Sequence, residues 1–398
     1  MEVKQVRLTN YRNYSQADVE LHPGKNILIG DNAQGKSNFL EAIEVASRGK
    51  SQRTSDDHEL IAWQKPKMQL EIVFERAGYD ESVGISLLRA SATGANRLEK
   101  KVTINGVKPP SQKALFGKLV TVTFSTQDLS MLRDGPKFRR QWIDTILFSL
   151  TPSYQETLAN YQKVVTQRNK LLKMMFEKGR VSVSDQDQLL IWDKQLAHYG
   201  CQIIKSRLNL ISELLPLAEN YQAHLSGSTE KLSANYIFRA LDDEDGEALD
   251  NQPVSFQELD EKGIANTLMQ LLRKRRGEEI ARKQTLVGPH RDDIDFALNN
   301  ASALAFASQG QQRSLVLSLK LAELDLITEK LNEPPLLLLD DVLAELDIDR
   351  QGLLMSALNK SMQTVITTTH LSRFEPDWLA GANIFQVEAG SVATASAV

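Results

Sequence analysis

The sequence predicts an α/β fold that is divided by an inserted helical, coiled-coil-like domain. Short stretches typical of β-strands fill the first third of the chain, apolar residues recur at helical spacing through the middle, and helix and strand signals alternate towards the end. We therefore divide the 398 residues into a first α/β segment (1–130), an insertion (131–284) and a second α/β segment (285–398). This length suits two or three domains of roughly 150 residues each.

The first segment is predicted to be rich in strands. Polar and apolar residues alternate at 2–8 and at 17–21, and the apolar run 26–29 ends at Gly30. Further strand patterns occur at 70–74, 83–88 and 102–104, and the last of these is followed by the turn pair Asn105-Gly106. One early helix is expected after Gly35.

Two long amphipathic helices are predicted in the insertion. Apolar residues recur at spacings of three, four and seven from Tyr154 to Leu172 and again from Leu189 to Leu217. The break at 179–182 indicates an antiparallel hairpin with arms ~35 Å long, at a rise of about 1.5 Å per residue. An acidic run at 242–250 and a basic run at 273–276 follow, and strand signals return at 285–287.

Composition excludes several classes of protein. The hydrophobic share of 41% and the charged share of 25% are ordinary for a globular chain. The single cysteine, Cys201, can form neither an internal disulfide nor a multi-cysteine zinc site. Because there is no run of ~18 apolar residues and no apolar stretch at the start, we expect a cytosolic protein. The net charge of −4 means that any contact with nucleic acid must use local basic patches.

A phosphate-binding loop is indicated at 30–37. A predicted strand, the pattern GxxxxGKS and a predicted helix follow one another in the order that such a loop requires. Lys36 would neutralise the β- and γ-phosphates of a nucleotide, and the hydroxyl of Ser37 would bind Mg²⁺. The predicted nucleotide-binding residues of this loop are Gly30, Asp31, Asn32, Ala33, Gln34, Gly35, Lys36, Ser37 and Asn38.

Two adjacent carboxylates end a fully apolar run of four leucines. Asp340 is the predicted Mg²⁺ ligand, acting through water, and Asp341 is placed to orient or deprotonate an attacking water molecule. A second strand-like run, 365–369, ends at His370. If this run lies beside the strand of Asp340, His370 emerges near the γ-phosphate.

A second helix start that suits an anion is predicted just after residue 307. Ser308 is a good N-cap residue, and Gly310 permits a ligand to approach the exposed N–H groups closely. The chain therefore has two helix N-termini suited to phosphate but one phosphate-binding loop.

These features together resemble the heads of ABC-type ATPases, and further segments resemble the SMC-related recombination mediators of bacteria. The resemblance covers nearly the whole chain. It implies an ABC-type P-loop ATPase head, with a mixed sheet and an antiparallel β subdomain, interrupted by the inserted domain. It rests on six segments that occur in one order, at 8–14, 30–41, 134–144, 167–169, 288–293 and 340–350.

The resemblance implies that ATP joins two copies of the chain in a head-to-head dimer. In that family the signature segment, here Ser308, Gly310 and Gln311, contacts the γ-phosphate bound by the other subunit, and Asp347 would lie at the dimer seam.

Three residues of the first segment also acquire roles by resemblance. Arg12 and Asn13 would contact the nucleotide. Gln127 would link Mg²⁺ to the inserted domain, at a position where the family more often has an acidic residue. Asp341 stands where transporters have glutamate, and its shorter side chain should hold the attacking water less favourably, which favours a slow switch over a fast motor. The resemblance implies a weak, DNA-stimulated ATPase whose hydrolysis acts as a release switch.

DNA binding is likewise an implication of the resemblance. The family binds DNA as an ATP-stabilised dimer at the junctions of single- and double-stranded DNA in gaps, works with RecO and RecR, and helps RecA to load during repair and replication, at the nucleoid. Plain surface charge is the alternative for each candidate contact to DNA phosphates, and for His290 and Arg291 the resemblance is the sole basis. The candidate DNA contacts are Lys137, Arg139, Arg140, Arg273, Lys274, Arg275 and Arg276.

Other functions fit the sequence less well. The insertion is larger than the helical insert of a transporter head, and the Asn-Lys-x-Asp guanine reader of a GTPase is not found. A chromosome-scaffolding SMC protein would have a hairpin of hundreds of residues and a cysteine hook. The alternative that stays open is an SMC- or ABC-type ATPase module that is not specialised for DNA gaps.

Overall fold

A computed structural model describes residues 1–90, 97–238, 259–344, 346–357, 362–374 and 376–395. The acidic run 242–250 and Glu345 lie outside these described residues. The strands are β1 (Glu2–Tyr11), β2 (Tyr14–Glu20), β3 (Lys25–Ile29), β4 (Lys67–Arg76), β5 (Tyr79–Ala90), β6 (Arg97–Ile104), β7 (Thr121–Ser125), β8 (Leu232–Ile237), β9 (Asp293–Leu298), β10 (Ala301–Ser302), β11 (Leu336–Asp340), β12 (Thr364–Thr368), β13 (Asn383–Glu388) and β14 (Ser391–Thr394). The helices are α1 (Lys36–Arg48), α2 (Ser130–Arg133), α3 (Pro136–Leu150), α4 (Pro152–Lys178), α5 (Val183–Ser226), α6 (Glu261–Lys274), α7 (Arg276–Arg282), α8 (Ala303–Phe306), α9 (Gln309–Leu331), α10 (Ile348–Ala357) and α11 (Pro376–Leu379).

The chain divides into two compact units. The first comprises Met1–Asp128 and Lys320–Val398, and the second comprises Leu129–Leu319. The second unit therefore continues beyond residue 284, where the sequence predicts the insertion to end. The reason is that β9 pairs with β8 along its whole length, so that the segment after 284 joins a sheet of the inserted part.

A six-stranded mixed sheet forms one layer of the first unit. Its strand order is β14-β13-β3-β12-β11-β7, and all neighbours pair in parallel except β14 with β13. The four leucines of β11 are fully buried, as expected for a central strand of a parallel sheet that is covered on both faces.

An antiparallel five-stranded sheet forms the other layer, in the order β2-β1-β4-β5-β6. Buried and exposed residues alternate along β4, which is the pattern of a strand with one face on the core. Helix α1 contributes Phe39, Leu40 and Ile43 to a core cluster that also contains residues of both sheets. The predicted mixed sheet and antiparallel subdomain are thus confirmed.

The second unit contains a three-stranded antiparallel sheet, β10-β9-β8, and the predicted helical hairpin. Helix α4 ends at Gly179, which adopts a left-handed conformation with φ 65°, and α5 starts with a reciprocal cap between Ser182 and Asp185. The 44 residues of α5 span about 66 Å, more than the predicted arm, because the helix begins before Leu189 and continues beyond Leu217 to Ser226. None of the helices in the described ranges combines the length and apolarity needed to cross a bilayer.

The strand predicted at 285–287 is absent, and β9 begins only at Asp293. Side chains take the place of a strand partner here. The N–H of Thr285 donates to Asn169 Oδ1 at 2.7 Å, and the N–H of Leu286 donates to the carboxylate of Glu279 at 2.8 Å. A β-like sequence can satisfy its backbone in this way without joining a sheet.

Candidate functional site

Five parallel strands end at one edge of the six-stranded sheet, and four of them, β3, β12, β11 and β7, lead to the predicted site residues. In the observed register Asp340 of β11 lies opposite Thr367 of β12 and Ser125 of β7, and Thr368 lies opposite Ile29 of β3. The segments that follow these strands contain the phosphate-binding loop, the Asp340-Asp341 pair, Gln127 and His370. The sheet therefore brings together chemical groups that are far apart in the sequence, at the edge where open α/β sheets bind ligands.

The phosphate-binding loop needs its two glycines for steric reasons. Gly35 has φ 120°, a conformation that other residues rarely adopt, and a Cβ at Gly30 would lie 2.3 Å from the carbonyl oxygen of Val387. Ala33 is also left-handed, with φ 65°. This tight path turns the chain into the N-terminus of α1, where the N–H groups can face an anion.

Lys36 lies inside the loop. Its Nζ donates to the carbonyl oxygens of Gly30 and Asp31 at 2.7 and 2.8 Å. Burial lowers the pKa of Lys36, while the nearby carboxylates of Asp341 and Asp340 act in the opposite direction. The ammonium group is thus held inside the loop, close enough to Asp340, the predicted Mg²⁺ ligand, and to Asp341, the predicted catalytic carboxylate, to interact with both charges.

Asn13 and Tyr14 brace the loop from outside. The amide of Asn13 donates to the carbonyl of Gln34 at 2.9 Å and accepts from Asn38 at 2.8 Å, and the hydroxyl of Tyr14 donates to the carbonyl of Gly35 at 2.9 Å. Asn13 therefore lies at the predicted site, in contact with the loop. Tyr14 is not among the predicted site residues, although it lies in segment 8–14, which carries part of the family resemblance.

The side chain of Arg12 is occupied by protein groups. Its Nε and Nη2 donate to the two carboxylate oxygens of Glu41 at 2.9 and 2.6 Å, and Nη1 donates to the carbonyl of Glu59 at 3.1 Å. Glu41 is buried on α1, and this bidentate pair raises the pKa of Arg12. Contact between Arg12 and a nucleotide stays a prediction.

Asp340 is the centre of a small polar cluster. Its Oδ1 accepts from the hydroxyl of Ser37 at 2.7 Å and from the hydroxyl of Thr367 at 2.9 Å. Thr367 also accepts from the backbone N–H of Asp341 at 2.9 Å. Thr367 is not among the predicted site residues, and the only signal for it in the sequence is a polar residue near the end of an apolar strand.

Asp341 departs from the strand direction. Its φ of 54° is left-handed, which is uncommon outside glycine and is found mostly for Asn and Asp. This bend separates the path of Asp341 from that of Asp340, in line with the different roles predicted for the two carboxylates.

The donor set suits Mg²⁺ that relies on a nucleotide for part of its coordination. The described residues contain no group of three or more His, Cys, Asp or Glu side chains that could hold a metal. Mg²⁺ commonly keeps several waters and takes only one or two carboxylates plus phosphate oxygens. The neighbouring oxygens of Ser37 and Asp340, beside the phosphate loop, fit that chemistry.

Gln127 and His370 are both exposed, each just beyond the end of its strand. Gln127 belongs to a short 3₁₀ turn in which the neighbouring Asp128 accepts from the N–H of Ser125 at 2.6 Å. Burial raises the pKa of Asp128 to about 6. The N–H of His370 donates to the hydroxyl of Thr368 at 3.3 Å.

Asp347 caps α10. Its Oδ1 accepts from the N–H of Arg350 at 3.0 Å, its carbonyl accepts from the N–H of Gln351 at 2.8 Å, and its carboxylate forms an ion pair with the side chain of Arg350. Half of its side chain is exposed. A role at a dimer seam stays a prediction.

The signature segment begins α9 in the second unit with a reciprocal cap. The N–H of Ser308 donates to Oε1 of Gln311 at 2.8 Å, and the N–H of Gln311 donates to the hydroxyl of Ser308 at 3.3 Å. The sequence S-x-x-Q at a helix start is the sequence form of such a cap. Ser308 as the N-cap is therefore confirmed, and Gly310 lies within the first turn of the helix.

The predicted DNA contacts on α3 separate into exposed and buried residues. Lys137 is exposed, whereas Arg139 is 1% exposed and its guanidinium binds both carboxylate oxygens of Asp293 at 2.7 and 3.0 Å. Arg139 is therefore wrong as a DNA contact. Its helical spacing from the buried Trp142 and Ile143 was the available signal. Arg140 is half-buried and donates to the carbonyl of Asp292 at 2.5 Å.

The basic run 273–276 also divides. Arg273 and Lys274 end α6 with exposed side chains, whereas Arg275 and Arg276 are half-buried. Arg276 donates to the buried carboxylate of Asp193 at 3.3 Å.

The segment 288–293, with His290 and Arg291, has a structural role. His290 is held by two hydrogen bonds, one between Nδ1 and the hydroxyl of Tyr161 at 2.6 Å and one between Nε2 and the carbonyl of Thr285 at 3.1 Å. Since a carbonyl only accepts, Nε2 carries the proton and Tyr161 donates to Nδ1. Burial lowers the pKa of His290 to about 4, so the ring is neutral. Arg291 donates to Gln284 at 3.0 Å.

Comparison with known proteins agrees with this architecture. A family model described as the RecF/RecN/SMC N-terminal domain matches residues 2–389. The chain is 40% identical over 397 residues to the DNA replication and repair protein RecF of Synechocystis sp., covering 98% of each chain. It is 41% identical to that of Thermosynechococcus vestitus, covering 100% of this chain and 98% of the relative.

Solved structures agree as well. A structure of the recombination mediator protein RecF with ATP in the RecFOR pathway has a TM-score of 0.86 at 31% identity, over 99% of this chain and 98% of that one. The Smc head domain of Pyrococcus furiosus, at 12% identity and a TM-score of 0.51, shares the fold alone. The predicted fold class and the resemblance are confirmed, and the chain belongs to the RecF family of SMC-related, ABC-type ATPase heads.

Proposed function

We propose that this chain is an ATP-dependent DNA-binding protein of recombinational repair and replication, which assembles as an ATP-bound head-to-head dimer and is released by slow hydrolysis. The observation that carries the proposal is the convergence of the phosphate loop, Asp340, Asp341 and His370 at one edge of the six-stranded sheet. Full-length relatives named as DNA replication and repair proteins, and a relative solved with ATP, support it.

The loop residues bind the triphosphate. Backbone N–H groups between Gly30 and Gly35 face the phosphates, and Lys36 exchanges its hydrogen bonds with loop carbonyls for bonds to the β- and γ-phosphates. Ser37 and Asp340 are the residues that would hold Mg²⁺, which supplies positive charge against the phosphates.

Asp341 is the residue that orients the attacking water or takes its proton, and His370 lies on the neighbouring strand end towards the γ-phosphate. Gln127 follows β7 at the same edge and is the residue that would link Mg²⁺ to the inserted domain. ATP hydrolysis by these residues acts as a switch that dissociates the dimer. Its output is the assembly and release of the dimer on DNA rather than a chemical product.

The signature segment completes the site of a second copy. Ser308, Gly310 and Gln311 contact the γ-phosphate held by the partner, and Asp347 lies at the seam. The reciprocal cap of Ser308 and Gln311 supports this, because it presents the first turn of α9 in a defined geometry before any partner arrives.

DNA binding uses phosphate contacts at the junctions of single- and double-stranded DNA in gaps. Of the candidate DNA contacts, the basic side chains that are exposed at the surface are Lys137, Arg273 and Lys274. The named relatives of the RecFOR pathway make RecO and RecR the expected partners, with assistance to RecA loading as the outcome, in the cytoplasm at the nucleoid.

The test is gel-shift binding to gapped DNA with ATP, with ADP and without nucleotide, across a salt series. We expect tight binding only in the presence of ATP. For each tenfold increase in salt concentration, the binding constant should fall by about 0.9 logarithmic units per neutralised phosphate. Equal binding in all three nucleotide states would contradict the ATP gate.

Intact duplex and single-stranded DNA of the same length serve as controls. Preference for the gapped substrate supports the specialised function. Equal ATP-dependent binding to all three DNAs would favour the alternative, an SMC- or ABC-type module that is not specialised for gaps.

A further inference from the structure

The side chain of Gln311 in the signature segment is held at both ends of its amide. Oε1 accepts from the backbone N–H of Ser308 at 2.8 Å, and Nε2 donates to Oε1 of Glu230 at 2.8 Å. A glutamine amide can flip by half a turn, which exchanges its donor and acceptor. A carboxylate only accepts, so Glu230 selects the orientation in which Gln311 offers its oxygen to Ser308.

Glu230 is itself part of a longer chain of hydrogen bonds. Its second oxygen, Oε2, accepts from Nε2 of Gln222 at 2.6 Å, and Oε1 of Gln222 accepts from the hydroxyl of Ser318 at 3.0 Å. Gln222 and Ser318 are fully buried, on α5 and α9 respectively. This series of hydrogen bonds therefore connects the C-terminal end of α5 with the N-terminal part of α9.

The backbone that carries Glu230 is also fixed. Its N–H donates to the hydroxyl of Ser226 at 3.2 Å, directly after α5 ends at two left-handed residues, Gly227 and Ser228. The next residue, Lys231, donates its N–H to the side chain of Asn299 at 2.8 Å. Glu230 is thus a rigid point from which to orient Gln311.

We propose that Glu230 is a positioning residue for the signature segment, which orients Gln311 and Ser308 for the γ-phosphate held by a second copy of the chain. The inference rests on the proposed function. In the oriented state the hydroxyl of Ser308 accepts from the N–H of Gln311, so its own proton is the one that can be donated to a phosphate oxygen. Supporting hydrogen bonds of this kind set the precision of a binding site.

The test compares Glu230→Ala, Glu230→Gln and the control Glu219→Ala. The control removes a carboxylate of α5 that takes no part in this series of hydrogen bonds. The Glu230→Gln variant can restore the network. Its amide nitrogen would donate to the oxygen of a flipped Gln222, and the nitrogen of Gln222 would then donate to the hydroxyl of Ser318. Alanine cannot restore the network. Dimerisation of each variant is measured by sedimentation with Mg·ATP. ATP binding is measured at a protein concentration at which the protein is monomeric.

For Glu230→Ala we expect a dimer dissociation constant raised about tenfold or more, with ATP binding by the single copy within about twofold of the parent. Glu230→Gln and Glu219→Ala should both dimerise like the parent. This pattern separates positioning from general loss of structure, which would lower ATP binding too.

Two results would overturn the inference alone, with the parent chain still dimerising. One is dimerisation of Glu230→Ala at parental strength. The other is a tighter dimer for Glu230→Gln, since this would mean that the negative charge opposes the phosphate. A parent chain that stays single with saturating Mg·ATP and DNA overturns the proposed function, and the inference with it.

Discussion

The hydroxyl of Ser37 donates a 2.7 Å hydrogen bond to Oδ1 of Asp340, across 303 residues of sequence. Ser37 lies in the first turn of the helix after the phosphate loop, and Asp340 ends the buried strand β11. Their contact places the two predicted Mg²⁺ ligands side by side, and the hydroxyl of Thr367 holds the same carboxylate oxygen from the strand between. The site therefore depends on the order of β3, β12 and β11 in the sheet.

Lys36→Arg should abolish ATP-dependent dimerisation. The guanidinium is planar and bulkier than an ammonium group, so it cannot reproduce the compact contacts of Nζ inside the loop. We expect ATP binding to weaken by about 10- to 100-fold, the loss of one charge-assisted hydrogen bond or more. Sedimentation with Mg·ATP checks the result, with the exposed Lys50→Arg as control. A Lys36→Arg chain that dimerises normally would show that the loop does not govern assembly.

Asp341→Asn should slow ATP turnover by about 100-fold or more, the usual contribution of a general base, and prolong the life of the dimer. Asparagine tolerates the left-handed backbone at this position, so the change removes the charge without adding strain. Phosphate release and dimer lifetime are the measurements, and the exposed Asp349→Asn is the control. Unchanged turnover would assign the catalytic role to another residue.

Ser308→Arg should retain ATP binding and lose dimerisation. The change removes the hydroxyl that caps α9 and adds bulk and charge at the surface that we propose to meet the partner's phosphate. ATP binding by the single copy and sedimentation with ATP separate the two effects. The control is the exposed Ser184→Arg on α5. Loss of ATP binding in Ser308→Arg would instead indicate damage to the chain's own nucleotide site.

Arg139→Met should lower the stability of the fold, whereas Lys137→Met should weaken DNA binding. Loss of Arg139 leaves the buried carboxylate of Asp293 without its bidentate partner, so we expect the free energy of unfolding to fall by about 3–5 kcal/mol. Lys137→Met should leave stability within about 0.5 kcal/mol and weaken DNA binding. Denaturant unfolding and gel shifts distinguish them. A stable Arg139→Met chain with weakened DNA binding would reverse this assignment.

Acid should destabilise the second unit through His290. Its folded-state pKa of about 4 lies below the ordinary value of 6.5, so the unfolded chain binds the proton first. The stabilising contribution is complete above about pH 6.5 and is lost as the pH falls towards 4. His290→Gln keeps one donor and one acceptor and should lose about 1–2 kcal/mol less stability than the parent between pH 7 and pH 5. The exposed His198→Gln is the control, and a parental slope in His290→Gln would contradict the expectation.

Local patterns account for the parts of the fold that could be predicted. The strand before Gly30, the leucine run of β11 and the break at 179–182 are written in neighbouring residues, because period and turn chemistry depend on short stretches of chain. The return of strand signals at 285–287 shows the limit of such patterns. There the backbone is satisfied by side chains of Asn169 and Glu279, which no local pattern indicates.

Residue types at fixed spacing are enough to predict the phosphate loop, the carboxylate pair and the family to which the chain belongs. Which charged side chains are available to a ligand depends instead on contacts between distant segments. Arg139 and Lys137 are two residues apart on α3, yet one is buried on Asp293 and the other faces solvent. Arg12 is likewise paired with Glu41. Burying a charge is costly unless a partner compensates it, and such partners come from distant parts of the chain.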